Sequence, residues 1–152
     1  MTFAVLLVSL LAGLTAVSRE SLWIDEANSA LKAMQPALAS WWRVMATEKG
    51  SDLQMPFYML QLWAWARIFG TSEFALRAAN IVWFCVGQAA LFHAFRRHLR
   101  FALITAFLGV ISPLLWYYLN DARPYLMQYA GASVLCAGLF CAVEDPVAAL
   151  RP

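Results

Sequence analysis

The sequence predicts an all-α fold: a polytopic membrane helical bundle of about four transmembrane helices, with amphipathic interfacial helices in its first outer loop. Hydrophobic residues make up 62% of the chain and charged residues 13%, with a mean hydropathy of +0.63, against about 45–50% and about 25% in soluble domains. Four apolar runs, at 2–18, 74–95, 101–118 and 125–143, approach the roughly 20 residues that cross a hydrocarbon core. Seven Trp and five Tyr suit the depth where acyl chains meet headgroups.

The first run, 2–18, has no Lys or Arg before it. A signal peptide needs such a basic flank, so an uncleaved first span is expected over a leader cut after Ala16-Val17-Ser18. From 19 to 73 the chain mixes charge with amphipathic pattern. Ala27, Ala30, Leu31, Met34, Leu38, Trp41, Trp42 and Met45 recur at intervals of three and four, which predicts a surface helix with one apolar face, broken near Pro36. Lys32, Gln35 and Arg43 lie mostly on its other side. Glu48-Lys49-Gly50-Ser51-Asp52 predicts a turn.

The segment 53–69 is apolar but interrupted by Gln54, Pro56, Gln61 and Arg67. As a span it would place Arg96-Arg97-His98-Leu99-Arg100 outside, against the positive-inside rule, so an interfacial or re-entrant helix is expected. Gln54, Tyr58, Gln61 and Trp65 would form its more polar face. Arg77, one turn into the 74–95 run, is expected to snorkel to headgroups. Trp116-Tyr117-Tyr118 closes the third run as an aromatic belt, and Asn120-Asp121-Ala122-Arg123-Pro124 predicts a tight outer turn before the fourth. Both termini and the Arg loop then lie inside.

Composition excludes some functions. A net charge of +2 without a basic, polar-interleaved stretch gives no surface for nucleic acid. Cys85, Cys136 and Cys141 sit in apolar runs without neighbours at metal-ligand spacing, and so read as small hydrophobes. His93 and His98 flank the Arg-rich turn and read as interfacial side chains.

Two charged groups are brought to the same outer face: Asp25-Glu26 after the first span and Asp121 with Arg123 between the third and fourth. Together they offer a base, a second carboxylate and a cation able to engage phosphate. Asp25 also suits a helix cap, and Glu26 a first helical turn. Neighbours on a helix point about 100° apart, so the two carboxylates are not expected to form a close dyad.

Three stretches give the chain a resemblance to a known family. They are Trp23-Ile24-Asp25-Glu26-Ala27; Gln54-Met55-Pro56-Phe57-Tyr58 followed by Leu62-Trp63, Phe69-Gly70 and Ser72-Glu73-Phe74-Ala75-Leu76-Arg77; and Tyr118-Leu119-Asn120-Asp121-Ala122-Arg123-Pro124-Tyr125. In this order they resemble the amino-terminal part of the polytopic GT-C glycosyltransferases. That superfamily includes the polyprenyl-phosphate-dependent protein mannosyltransferases and the aminoarabinose transferase, and the likeness is strongest to its RgtA/B/C/D-like branch. Met55 stands where the family usually has a proline, Gln54 where it commonly has His or Lys, and Asp121 where it usually has Glu.

The resemblance implies a partial GT-C fold, with 1–152 forming a single amino-terminal transmembrane region of a longer domain. It implies transfer of a sugar from a polyprenyl-phosphate donor to an acceptor hydroxyl, with inversion, on the extracytoplasmic face of the cell membrane. Asp25 would be the base and Glu26 a second catalytic carboxylate that shapes the acceptor site or holds a divalent metal, although no cofactor is required by the motifs themselves. Arg123, oriented by Asp121, would hold the lipid phosphate, with Tyr58 and Tyr125 also binding substrate. Partners would be the lipid donor, membrane lipids, and a missing carboxy-terminal half or partner subunit. The alternative is a noncatalytic membrane interaction protein or an inactive transferase remnant.

Overall fold

A computed structural model describes residues 1–47 and 54–144, and these are helical with connecting turns. Eight helices follow in order: α1 (Thr2–Ala16), α2 (Ile24–Ala33), α3 (Leu38–Thr47), α4 (Pro56–Phe69), α5 (Glu73–Ala94), α6 (Leu99–Ile111), α7 (Pro113–Leu119) and α8 (Tyr125–Glu144). The expected turn at 48–52 lies outside the described residues.

α5 is the central column. It packs most extensively on α8 and α1, and also touches α6, α4 and α7. Ser72 starts it as an N-cap whose hydroxyl accepts the Ala75 N–H at 3.2 Å. α4 ends one turn earlier at Gly70, whose φ of 91° is open to glycine and reverses the chain.

α5 and α8, of 22 and 20 residues, are each long and apolar enough to cross a membrane. The expected third span is not one helix. Ser112 and Pro113 divide it into α6 and α7, which bend by 55°, so it counts as a span only as a broken pair. Pro113 removes an amide N–H and Ser112 caps the new helix through Leu115 N–H at 3.4 Å, so the break is written in the sequence. α1 is apolar but has only 15 residues, about 22 Å at helical rise, short of a ~30 Å core. Among the described residues two helices, or three with the bent pair, therefore meet the criteria for which four were expected.

The amphipathic segment breaks where Pro36 predicts. Its apolar stripe divides: Ala30, Trp41 and Met45 enter the core, while Leu31, Met34, Leu38 and Trp42 stay exposed. Lys32, expected on the polar side, is buried. α4, with 14 residues, is too short to span and lies against α2 and α5. Its polar face turns inward rather than outward, because α5 supplies the partners. Trp65 Nε1 donates to the Ala75 carbonyl at 2.7 Å, and Gln61 accepts from Trp83 Nε1 at 3.0 Å. Trp63 Nε1 donates to the Gln35 carbonyl at 2.9 Å, and Arg67 binds the same oxygen, pinning α4 to the α2–α3 corner.

Residues 17–23, the start of α5 and the 120–124 turn meet at one end of the bundle, here the loop end. Asn120 stitches it by accepting from Ser18 N–H at 2.6 Å and donating to the Ala16 carbonyl at 2.8 Å. At the other end, Glu144 of α8 faces Arg97 at 3.8 Å and His98 at 3.4 Å.

Candidate functional site

The loop end is built around Glu26 and Arg77. α2 begins at Ile24 with Trp23 as its N-cap, so Asp25 is the second residue of the helix and not its cap. Successive helical residues diverge by about 100°, and the pair separates accordingly: Asp25 is exposed and Glu26 is buried.

All the hydrogen-bonding capacity of Glu26 is engaged. Oε1 accepts Arg77 Nε at 3.0 Å and the Ala122 N–H at 2.8 Å; Oε2 accepts Arg77 Nη2 at 2.8 Å and the Trp23 N–H at 3.0 Å. An ionised carboxylate has about four lone-pair positions. Burial by itself would raise its proton affinity, but the bonds from Arg77, Ala122 and Trp23 and the Arg77 charge outweigh it and hold the carboxyl below its usual range. Glu26 is thus a clamp between α2, α5 and the 120–124 turn, with its lone pairs engaged, at the position where the resemblance implies a catalytic carboxylate.

Arg77 does not snorkel. Only 2% of it is exposed. Its remaining donors reach Ser18 Oγ at 3.1 Å, the Glu20 carbonyl at 2.7 Å and the Ser21 carbonyl at 3.2 Å. A guanidinium has five N–H donors, and these contacts with the two to Glu26 use every one. Sequence reasoning missed this residue as a hub. The available signal was a charge one turn inside an apolar helix, which is costly unless paired.

Tyr58, expected at a substrate surface, is fully enclosed. Burial, then the negative charges of Asp121 and Glu26, push its hydroxyl's proton affinity up. That hydroxyl donates to Asn80 Oδ1 at 3.1 Å, and Asn80 Nδ2 donates to the Asp121 carbonyl at 2.6 Å. Tyr58 therefore supports the Asp121 turn from beneath. Asn80, another polar residue inside an apolar helix, is the second position that sequence reasoning overlooked.

Asp121 is half-buried, and its carboxyl is pushed up to about 6 by burial and by the charges of Glu26 and Asp25, against the opposing pull of Arg123 and Arg77. Arg123 follows two residues on and is also partly buried. Tyr125 opens α8 and stacks on Tyr118 with ring centroids 4.6 Å apart. A cavity of about 410 Å³ opens here, lined by Ser18, Glu20, Trp23, Arg77, Pro113, Trp116, Tyr117, Asn120 and Asp121. Asp121 thus faces a cavity wall, and Asp25 is not part of that lining. Among the described residues no three His, Cys, Asp or Glu side chains gather into a metal-binding group.

The three stretches noted in the sequence converge at this point. Glu26 comes from the first, Arg77 from the second and Ala122 from the third, and one carboxylate binds both of the others. The loop end thus offers a cavity with aromatic and polar lining, with Asp121 on its wall. Comparison of the chain with protein-family models, curated proteins and solved structures returned no match.

Proposed function

We propose that the chain is the amino-terminal membrane region of a glycosyltransferase that moves a sugar from a polyprenyl-phosphate donor to an acceptor hydroxyl on the extracytoplasmic face, with inversion. The reading rests on the convergence of three sequence stretches on Glu26, which are far apart in the chain and resemble GT-C motifs in the same order.

In this reaction the acceptor oxygen attacks the anomeric carbon while its proton passes to Asp25. The bond from that carbon to the phosphate oxygen breaks, and the electron pair leaves with the phosphate. A positioned base contributes typically about 10²–10⁴-fold. Arg123 stabilises the departing anion, since a guanidinium engages two phosphate oxygens at once. The exposed position of Asp25 leaves it open to an acceptor, whereas Glu26 holds α2 in register with the Asp121 turn. An apolar groove of about 820 Å³ between α3 and α4, lined by Leu38, Trp41, Trp42, Pro56, Phe57 and Leu60, is suited to the lipid chain.

The test is transfer from a polyprenyl-phosphate sugar by the full-length protein in its membrane. Asp25→Asn is expected to lower turnover by at least about 10²-fold with expression unchanged. Near-normal turnover would remove Asp25 from the role of base, and a folded wild-type protein that transfers nothing would return the noncatalytic reading.

A further inference from the structure

The end of the bundle opposite the loop end combines an apolar groove with a cluster of cations. The groove, of about 740 Å³, is lined by Phe3, Leu7 and Leu10 of α1, Val82 and Val86 of α5, and Val134 of α8. All six of these side chains are exposed, so the groove is open to whatever surrounds the bundle. Apart from Thr2, Cys85 and His93 its lining is hydrocarbon. Along α5 it reaches from Ile81 to His93, about 18 Å at helical rise, which is close to the depth of one leaflet of a ~30 Å hydrocarbon core.

Positive charge stands at the groove's mouth. Arg96 Nη1 donates to Nε2 of the groove-lining His93 at 2.9 Å, which holds the guanidinium beside the opening. The Arg96 side chain has no other partner among the described residues, so its Nε and Nη2 donors are left for a ligand. The turn at 93–100 contains Arg96, Arg97 and Arg100 and no acid. Glu144 of α8 faces Arg97 and His98 rather than Arg96.

We infer that the groove holds a phospholipid with an anionic headgroup, one acyl chain lying between α1 and α5 and the phosphodiester on Arg96. The Nε–Nη2 edge of a guanidinium matches two phosphate oxygens at once. A phosphocholine headgroup brings its own cation toward Arg96, Arg97 and Arg100, whereas a phosphoglycerol headgroup brings none, and this favours the anionic class. Charge alone would draw such lipids to any of the three arginines. Arg96 is set apart by its contact with a groove-lining side chain, which joins headgroup and acyl chain in one site. In the orientation proposed above the site lies in the cytoplasmic leaflet, and it does not depend on the proposed sugar transfer.

The experiment uses the full chain in phosphatidylcholine nanodiscs doped with a lipid that carries a diazirine midway along one acyl chain, its headgroup either phosphoglycerol or phosphocholine. After irradiation the labelled residues are mapped by mass spectrometry. The phosphoglycerol lipid is expected to label Leu7, Val82 and Val86 about fivefold more than the phosphocholine lipid, the effect of one arginine at an anionic headgroup. Arg96→Gln should bring the two within about twofold, whereas Arg97→Gln should leave most of the preference. Both side chains are exposed, so the fold is not at stake. Equal labelling of the groove by the two lipids would overturn the inference. So would an equal loss in Arg96→Gln and Arg97→Gln, the mark of diffuse surface attraction, or displacement of the phosphoglycerol lipid by excess inorganic phosphate, the mark of an anion site without the groove. Groove residues left unlabelled in a protein that runs as a dimer would assign the groove to a second copy and overturn it as well.

Discussion

Glu26→Gln keeps the shape of the clamp and removes its charge. Each carboxylate oxygen accepts two hydrogen bonds, one from Arg77 and one from a backbone N–H, of Ala122 or Trp23. Whichever oxygen becomes NH₂ then faces two donors, each stranded at about 1–3 kcal/mol, and the guanidinium loses its counter-charge. A broken buried ion pair costs about 3–5 kcal/mol, the magnitude expected here. Reversible unfolding of the purified protein in mixed micelles measures it. A cycle of Glu26→Leu, Arg77→Met and the double variant Glu26→Leu/Arg77→Met adds a sharper check. The double variant should cost less than the sum of its singles, because neither charge is left alone. It should not return to wild type, since the Ala122 and Trp23 N–H groups and the Glu20 and Ser21 carbonyls still lose partners. A cost for Glu26→Gln below about 1 kcal/mol, the range of exposed pairs, would refute the clamp.

Other outcomes follow from the same geometry. The depressed Glu26 carboxyl contributes stability that is present above its unfolded value of 4.5 and lost as pH falls through its lower folded value. Asp121 has the opposite sign: its contribution is present below its unfolded value of 3.8 and lost as pH rises through about 6, so Asp121→Asn should flatten stability between those values in a pH series of unfolding midpoints. Within the bundle, both amide atoms of Gln88 are buried without a hydrogen-bond partner among the described residues, so Gln88→Met should stabilise by about 1–3 kcal/mol. A Cβ on Gly109 would sit 1.7 Å from Gln88 Nε2, so Gly109→Ala should destabilise by about 1–3 kcal/mol in the same assay and be relieved when Gln88 is shortened to Ala. In a cysteine-free background, Arg97→Cys should react with an impermeant maleimide only from the cytoplasmic side, and labelling from outside would reverse the proposed orientation.

Much of the fold was legible along the chain because its causes are local. The lengths of α5 and α8 follow from long, mostly apolar runs without a helix breaker, the α2–α3 break from Pro36, and the start of α5 from Ser72. Ser112-Pro113 carried the signal for the α6–α7 bend, yet the apolar run masked it. The short α1 shows the opposite problem, since apolar composition extended through Ser18 while the helix stopped at Ala16.

The site was legible only in part. Sequence alone determined that Asp25 and Glu26 diverge, because helix geometry fixes the angle between neighbours, and that two charged stretches lie near helix ends. Tertiary structure decided what those charges do. It placed Arg77 beside Glu26 across 51 positions and Ala122 across 96, enclosed Tyr58, and turned Asp121 rather than Asp25 toward the cavity. A buried charge persists only where other groups replace the water it loses. Which groups do so depends on elements packed against it from distant parts of the chain.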